Sequence, residues 1–582
     1  MEGVSVNQRI SKYGVIFLLM LIISMFSSTT ILANTTVRAK YSQSNLYFDG
    51  DFIWCSAFNI SGNTYCKLID LSERLSGTTS QFSVVWDKDK NVKITTGKKY
   101  VPLKNQNPSY YFADKYYDAK PITKKIYVNG KLSDMKGYTI DGSDYFKLKD
   151  LSKVISFDLE LTSDKKKILL YSQTPKYSYR AKTAYETIPN ATSSYFPRWR
   201  NTLSSYMVYN ENKTISVIEA NEKINIETYD ENYKLQSKKS IKYELPLFGG
   251  FYSGEKYNYI AFGQSNSEEK DDKEVIRIVR YNKDFKRIDS VSIKGGESYT
   301  TIPFDAACGR MSEKGDRLVF HTSRQRYQTE DGLNHQSQLT IIVDTSSMRV
   351  LNDLGSFQTN HVSHSFDQYV QFDGDTHVLI DHGDAYPRSV VLSKEYIDTD
   401  YLEDNVYYKS VDLFEIPGET GANCTGVSIG GFEISSESYI VAINSIDHSL
   451  VKEYNSYNMI GLEVDQRDII ICSVPKDFTS DSEVKQITLA KYVGTNKIAS
   501  IPQLVKISED KLMVLWQEYG LKEGETGDLN YVFLDKNGKA TTKIKSVKNF
   551  NLSECKPMIV DNKVVWYTNE KGCRTFYTIP IE

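Results

Sequence analysis

Two short stretches of the chain hold three of its seven histidines together with two aspartates, side chains that could do chemistry. The first carries His361 and His364, and the second carries Asp381, His382 and Asp384. Imidazole and carboxylate groups together can hold a divalent metal or carry out acid–base catalysis. With the other polar residues expected nearby, the candidate ligand-binding set is His361, His364, Asp381, His382, Asp384, Arg388, Asp305 and His321.

If this set binds a metal, His364, His382 and Asp384 are the candidate ligands. The His-x-x-His spacing lacks the Glu of the His-Glu-x-x-His metalloprotease motif. The alternative is that these side chains hydrogen-bond loop backbone and pack a junction between two sheets. We assign no catalytic residue, and we expect no cofactor unless a divalent metal occupies this group.

The elements that would position these residues are recurring β-hairpins beyond residue 194. Each has alternating apolar residues, a polar turn and a second apolar strand. The turns fall at 254–256, 313–316, 373–375, 435–437, 509–511 and 561–563, with a weaker copy at 200–202. A second hairpin type lies between them, since Ile226-x-x-Tyr229 matches Ile278-x-x-Tyr281.

Two hairpins per unit make four antiparallel strands, which is the size of a propeller blade. The sequence therefore predicts a mainly β protein whose residues 195–582 form a β-propeller of seven blades. Six or eight blades, or a β-sandwich, are the alternatives. In a propeller, loops entering the innermost strands share a face with loops that end the second strands. The candidate residues should therefore ring one mouth of the central channel.

The N-terminal part contains a duplication. Residues 59–75 read NISGNTYCKLIDLSERL and residues 139–155 read TIDGSDYFKLKDLSKVI. Each copy follows a short strand with an Asp-Gly or Asn-Gly turn. Each copy also contains an amphipathic helix, whose apolar face is formed by Leu68, Leu71 and Leu75 in the first copy. We predict two α+β modules, each a small sheet wrapped on one helix, at 44–104 and 120–172, followed by a polar linker at 173–194.

These residues resemble a known family. Asn59-Ile60-x-Gly62-x-x-Tyr65-x-Lys67-Leu68-x-Asp70-Leu71, with the stretch 81–87 and Thr96-Gly97-Lys98-x-Tyr100, is similar to the copper amine oxidase N-terminal-like (stalk) domain of secreted Firmicute proteins. The resemblance implies two tandem non-catalytic, envelope-associated stalk modules. It does not imply an amine oxidase, because the chain has no Asn-Tyr-Asp/Glu and no His-x-His.

The N-terminus resembles a secretory signal peptide. Arg9 and Lys12 precede an apolar run at 15–23, and small residues follow, with cleavage predicted after Ala33 or Ala39. We place the signal peptide at 1–39 and expect a secreted protein, which could be associated with the cell wall. The run is short for a spanning helix, so contact with the membrane is expected only through an uncleaved signal.

Net charge bears on the choice of partner, and the cysteine pattern bears on disulfide bonding. The 582 residues carry a net charge of −3, which does not favour nucleic acid as a partner. The seven cysteines contain no Cys-x-x-Cys, and we expect buried free thiols, with Cys55–Cys66 and Cys555–Cys573 as the pairs to test for disulfides.

We expect a non-catalytic protein whose stalk modules present a propeller that binds a cell-wall or surface glycan or protein. The alternative is an extracellular hydrolase or lyase that uses the His/Asp group at the propeller mouth.

Overall fold

The structure is a computed structural model that describes residues 35–42, 45–102, 111–113, 115–161, 167–396, 407–522 and 524–581. It divides into two compact units, residues 1–173 and 174–582. Most of the predicted signal peptide, residues 1–34, lies outside the described residues. Within the described ranges, no helix combines the length and the apolar character needed to cross a bilayer.

The first unit contains fourteen strands and two helices among its described residues. The strands are β1 Val37–Ser42, β2 Asn45–Phe48, β3 Asp51–Ile53, β4 Ala57–Ile60, β5 Asn63–Lys67, β6 Phe82–Trp86, β7 Val92–Thr96, β8 Tyr116–Pro121, β9 Ile126–Val128, β10 Lys131–Ser133, β11 Gly137–Ile140, β12 Ser143–Lys147, β13 Phe157–Leu161 and β14 Lys167–Ser172. The helices are α1 Leu68–Arg74 and α2 Leu148–Ile155.

The local predictions for the duplicated segments are confirmed. Asp49 and Gly50 both have positive φ, as do Asn129 and Gly130, which is the geometry of a tight two-residue hairpin turn. The helix within each repeat buries its leucine face, and Leu68, Leu71 and Leu75 are fully buried in the first copy.

The prediction of two separate modules is wrong, because the two copies interlock. Strand β7 of the first copy pairs in parallel with β9 of the second, and β14 of the second pairs in parallel with β2 of the first. Strands of both copies also form one closed barrel, in the order β1-β4-β5-β12-β11-β8. Cys66 lies opposite its repeat partner Phe146 where β5 meets β12. One hydrophobic core contains residues of both copies.

The described strands of the second unit form seven antiparallel sheets of four or five strands and one separate hairpin. Sheet I is β16 Ser205–Tyr209, β17 Ile215–Ala220, β18 Lys223–Tyr229 and β19 Leu235–Lys242. Sheet II is β20 Leu247–Ser253, β21 Asn258–Gly263, β22 Glu274–Tyr281 and β23 Arg287–Lys294, followed by helix α3 Gly295–Ser298. Sheet III is β24 Thr300–Pro303, β25 Arg310–Lys314, β26 Arg317–Arg326, β27 Gln336–Asp344 and β28 Arg349–Val350.

Four further sheets complete the unit. Sheet IV is β29 Ser365–Asp373, β30 Thr376–Gly383, β31 Ser389–Tyr396 and β32 Tyr407–Glu415. Sheet V is β33 Val427–Ile434, β34 Ser438–Ser445, β37 Asp468–Pro475 and β38 Lys485–Ala490, with the separate hairpin β35 Glu453–Asn455 and β36 Asn458–Ile460 inserted. Sheet VI is β39 Lys497–Ala499, β40 Gln503–Ser508, β41 Lys511–Gly520, β42 Thr526–Asp535 and β43 Lys545–Val547. Sheet VII is β44 Met558–Val560, β45 Lys563–Glu570, β46 Cys573–Pro580 and β15 Ser178–Ala181.

The second unit has a β-propeller-like fold. Its sheets follow one another in chain order, and the last sheet is completed by the first strand, because Ser178 to Ala181 pair with Tyr577 to Arg574. A hydrophobic cluster fills each junction between successive sheets, including the junction of sheets VII and I, where Tyr567 and Phe576 pack with Ile215 and Val217. Apolar side chains are therefore buried at every junction between neighbouring sheets, including the junction of the last sheet with the first.

Two predictions for the start of the second unit, a linker and a hairpin turn, are corrected. Residues 173–194 are not a free linker, because β15 lies within them. The residues after β15 are also pinned, since Thr192 N donates to Leu552 O at 2.9 Å and Ala191 bridges Ser553. The hairpin turn predicted at 200–202 is also wrong, because the first two strands of sheet I are joined at 210–214. The other six predicted turns join first and second strands, as expected, where β25 and β40 count as the first strands of sheets III and VI, and β26 and β41 as their second strands.

Glycines in or next to the first strands allow neighbouring first strands to approach one another closely. A Cβ on Gly309 would lie 2.2 Å from Gly249 O, and a Cβ on Gly430 would lie 2.1 Å from Pro502 O. Both distances are far inside van der Waals contact, so these positions require glycine. No disulfide joins any two of the seven cysteines, so neither Cys55–Cys66 nor Cys555–Cys573 is bonded.

The interlocking predicts that one copy of the duplication cannot fold alone. A fragment of residues 35–104 would leave the edges of β2 and β7 unpaired and half of the shared core exposed, whereas residues 35–173 retain both pairings. Circular dichroism and urea unfolding should show a cooperative transition for 35–173 and none for 35–104. A cooperative transition in the short fragment would contradict the interlocked topology.

Candidate functional site

The second unit contains a cavity of about 760 Å³ at the axis of its seven sheets. Every sheet contributes to its wall through its first strand or the residues next to it. The lining residues are Leu203, Ser205–Tyr209, Phe251–Ser253, Gly309–Glu313, Tyr369–Phe372, Phe432, Glu433, Val505, Lys506 and Cys555–Ile559. Most come from the second halves of the first strands, so the cavity lies toward the turns that join first and second strands.

The wall combines aromatic rings with charged groups. The aromatic residues of the wall are Tyr206, Tyr209, Phe251, Tyr252, Tyr369, Phe372 and Phe432. The charged residues of the wall are Arg310, Glu313, Glu433, Lys506 and Lys556. Such a mixture of apolar surface and a few fixed polar groups is typical of ligand pockets.

At the mouth, two charged side chains hold each other and a neighbouring amide. Lys556 Nζ lies 2.5 Å from Glu433 Oε1. Gln371 Nε2 donates to Phe432 O at 2.7 Å and to Glu433 Oε2 at 3.3 Å. The mouth therefore presents a carboxylate, an ammonium and an amide in fixed positions, a set that can hydrogen-bond hydroxyl or peptide groups.

A buried ionic network lies at the opposite, inner end of the cavity. The Arg310 guanidinium stacks 3.5 Å above the ring of Tyr369, and its Nη1 donates to Asp367 Oδ1 at 2.8 Å. Arg200 reaches the same Asp367 with Nε at 3.9 Å and Glu554 with Nη1 at 3.3 Å. Arg200 lies in the segment between β15 and β16, and its backbone N donates to Phe366 O at 3.0 Å. The chain that follows β15 therefore covers this end.

The histidines and aspartates predicted from the sequence do not line the cavity. His321 and Asp381 are 0% and 1% exposed and join sheets III and IV, with His321 Nε2 3.0 Å from Asp381 Oδ2. His321 Nδ1 is 3.0 Å from the Thr340 hydroxyl, and Ser365 Oγ donates to Asp381 Oδ1 at 2.5 Å. Because Ser365 contacts the aspartate and not the histidine, these residues do not form a nucleophilic triad.

Asp384 and Arg388 hold the loop that leads from sheet IV to sheet V. Arg388 donates to the carboxylate of the fully buried Asp384 and, at 2.8 Å, to Cys424 O. Asn423 N donates to Asp384 Oδ2 at 2.9 Å. His364 is partly exposed, and its Nδ1 is 3.6 Å from the same oxygen. This group fits the structural alternative, in which the side chains fix loop backbone.

The remaining predicted residues are His361, His382 and Asp305. His382 is buried and contacts the Thr425 hydroxyl at 2.9 Å, and burial lowers its pKa to about 4. Burial also lowers the pKa of His361 to about 4, with further contributions from Arg326 and Arg324. Burial raises the pKa of the Asp305 carboxyl. A neutral His382 cannot supply a proton at neutral pH.

The metal hypothesis for His364, His382 and Asp384 is not supported. In the part of the chain that the structure describes, no group of three or more His, Cys, Asp or Glu side chains is arranged to hold a metal ion. The Asp384 carboxylate already accepts from Arg388 and Asn423, and His382 Nε2 contacts Thr425.

Sequence reasoning missed the cavity residues. None of Tyr206, Tyr252, Arg310 and Glu433 stands in a motif. The signal that could have found them is their place in the first strand of each predicted four-strand unit, since these strands surround a propeller axis.

The fold and site together define a β-propeller-like protein with an axial cavity. No family model and no curated protein matches the chain. Among solved structures, the extracellular domains 1–2 of Drosophila semaphorin 1a are similar with a TM-score of 0.35 and 8% identity, over 68% of this chain and 88% of that one. The β-propeller domain of the Trilobed protease from Pyrococcus furiosus has a TM-score of 0.30 and 12% identity, over 65% and 95%.

An apocarotenoid oxygenase variant from Synechocystis has a TM-score of 0.26 and 9% identity, over 61% of this chain and 63% of its own. This chain thus spans less than two thirds of the oxygenase. At these scores, none of the three likenesses carries a conclusion about function or site residues.

The low pKa of His382 predicts acid sensitivity. A histidine with a pKa near 4 when folded and about 6.5 when unfolded contributes stability above pH 6.5 that is lost as the pH falls toward 4, up to about 3 kcal/mol. Because His361 and His448 are similarly lowered, His382→Gln should remove only part of this loss. Urea unfolding between pH 4 and 7.5 measures the effect.

Ile380→Val is the matched control, since Ile380 is buried on the same strand as His382 and has no group that titrates. It should keep the wild-type slope of unfolding free energy against pH. An unchanged slope in His382→Gln would show that His382 is not buried in its neutral form.

Proposed function

We propose that this chain is a secreted, cell-envelope-associated, non-catalytic binding protein. In this proposal residues 174–582 form a seven-bladed propeller that binds a glycan or protein segment in its axial cavity. The first unit serves as a stalk, in line with its resemblance to the copper amine oxidase N-terminal-like domain. Nucleic acid is not a partner, and the membrane is contacted only if the signal segment remains.

The observation that carries the proposal is the axial cavity of about 760 Å³, to which all seven sheets contribute. Its volume suits a small glycan or a few peptide residues, because ligand pockets are commonly several hundred cubic ångströms. Aromatic rings give apolar contact area to sugars and peptide side chains. Glu433, Lys556 and Gln371 add fixed hydrogen-bonding groups at the mouth.

The rival proposal, a hydrolase or lyase that uses the His/Asp group, has less support. Its histidines His321 and His382 are buried and hydrogen-bonded to neighbouring side chains. None of the eight candidate residues lines the axial cavity. A non-catalytic protein therefore accounts better for where the chain places its chemistry.

Filling the cavity should abolish binding. Ser312 lines the cavity and is only partly buried, so Ser312→Trp would extend an indole into the pocket, whereas Ser312→Ala leaves the space open. Soluble cell-wall glycan fragments and a displayed peptide library are screened first with the wild-type protein. We expect Ser312→Trp to weaken the best binder at least tenfold and Ser312→Ala to change its affinity less than twofold.

Circular dichroism and thermal unfolding establish that each variant is folded before its binding is measured. His364→Ala and His382→Ala serve as controls outside the cavity and should bind like the wild type. Two results would favour the rival proposal. One is wild-type binding by a folded Ser312→Trp. The other is ester or glycoside turnover by the wild type that the histidine variants lose together with binding.

The structure also favours one of the two predicted cleavage positions. Residues 37–39 belong to β1, where Val37, Arg38 and Ala39 pair with Ala119, Asp118 and Tyr117. Cleavage after Ala39 would remove these pairs, whereas cleavage after Ala33 leaves β1 intact. N-terminal sequencing of the secreted protein should therefore begin at Asn34, and a start at Lys40 would contradict this.

A further inference from the structure

Two arginine side chains on β26 are buried without a carboxylate partner. Arg324 is 1% exposed and Arg326 is 5% exposed. Arg324 Nη2 donates to Gly355 O at 3.0 Å and to Ser356 O at 3.2 Å, and Arg326 Nη1 donates to Ser356 O at 3.3 Å. Their remaining buried groups Arg324 Nε, Arg324 Nη1 and Arg326 Nε have no hydrogen-bond partner among the described residues.

Arg467 and Arg574, which are buried to a similar extent, are compensated. Arg574 lies 2.8 Å from Glu219 and also pairs with Glu227, and Arg467 lies 2.8 Å from Asp465. A guanidinium keeps its charge in proteins, so burying one without an anion is strongly unfavourable. Asp331 attracts Arg326 from beyond salt-bridge distance, but neither Arg324 nor Arg326 has a carboxylate in salt-bridge contact among the described residues.

The surroundings add further unsatisfied groups. Thr322 is fully buried, its hydroxyl has no partner among the described residues, and strand periodicity puts it on the same face of β26 as Arg324 and Arg326. His361 Nδ1 is also unpaired. Its ring lies 4.9 Å from the ring of Phe357, which in turn lies 4.3 Å from the Arg326 guanidinium carbon.

Phe357 offers a route of access. It is 61% exposed although it covers a buried guanidinium, and it belongs to the loop that supplies the Gly355 and Ser356 carbonyls. Burial, and then the neighbouring Arg326, lower the pKa of Arg324 to about 9. An anion bound beside the two guanidinium groups would stabilise their charged forms and so offset both the burial and the mutual repulsion.

We propose that Arg324 and Arg326 bind an oxoanion, which is either free phosphate or sulfate or the carboxylate of an acidic sugar, beneath Phe357. Guanidinium groups donate to the oxygens of all these groups. The arginines do not line the axial cavity, so the site is separate from the proposed glycan or protein site and does not depend on it.

The test uses the full chain, dialysed into a buffer without oxoanions. Sodium phosphate, sodium sulfate and sodium glucuronate are titrated separately at constant ionic strength set with sodium chloride. Thermal unfolding and calorimetry measure binding. We expect a saturable rise of the melting temperature by several degrees with at least one of the three, and the arm that responds identifies the source of the oxoanion.

Arg326→Gln should weaken the responding anion at least tenfold. Arg349→Gln, which changes an exposed arginine of the same sheet, should bind it like the wild type. If Arg326→Gln does not fold, the double variant Arg324→Met with Arg326→Met provides the second measurement. It should melt no lower than the wild type without anion and should lose the anion-dependent rise, because apolar side chains replace uncompensated charges.

Two results would overturn the proposal. One is a wild-type response no larger than that produced by chloride in all three arms. The other is an equal anion-dependent rise in the wild type and the double variant, which would place the effect elsewhere on the surface.

Discussion

The second unit depends on the pairing of its first strand with its last. Ser178 to Ala181 pair with Tyr577 to Arg574, and the cluster around Tyr567 and Phe576 fills the junction behind them. Loop-closure entropy rises only slowly with chain length, so apolar burial on both sides of the closing sheet can offset the cost of joining such distant segments. This pairing joins the start of the unit to its end.

The closing strand also fixes the path of residues 182–204, which connect it to sheet I. Asn190 Oδ1 accepts from Asn569 N at 2.7 Å, and Thr192 N donates to Leu552 O at 2.9 Å. The chain then reaches Arg200, which joins Asp367 and Glu554 at the inner end of the cavity. Ring closure thus positions the segment that covers one end of the cavity, while the other end presents Glu433 and Lys556.

Buried polar groups in this unit fall into two classes. His321 and Asp381, and Arg574 with its two glutamates, have partners that satisfy their charges or hydrogen bonds, and they join neighbouring sheets. Arg324 and Arg326 have only backbone carbonyls and an aromatic ring. The satisfied groups explain packing between sheets, whereas the unpaired guanidinium nitrogens of Arg324 and Arg326 are the basis of the proposed oxoanion site.

Local patterns in the sequence determined the local structure. Asp49-Gly50 and Asn129-Gly130 form the predicted turns, Leu68 and Leu71 lie on the buried face of α1, and six of the seven predicted hairpin turns join first and second strands. Turn chemistry and apolar periodicity act over a few residues, so a single sequence displays them. Only the tertiary structure decided that the duplicated copies interlock through β7–β9 and β2–β14, because edge pairing leaves no local signature.

For the candidate site too, the sequence displayed local composition, and only the tertiary structure decided which residues meet. The sequence revealed that histidines and aspartates concentrate near one sheet, but not that His321 and Asp381 would be buried against each other. It gave no sign that Tyr206, Arg310 and Glu433 would share one cavity, since residues far apart in the chain meet only when the ring closes. Whether a charged side chain is compensated depends on its neighbours in space, and so Arg324 and Arg326 stood out only in the folded protein.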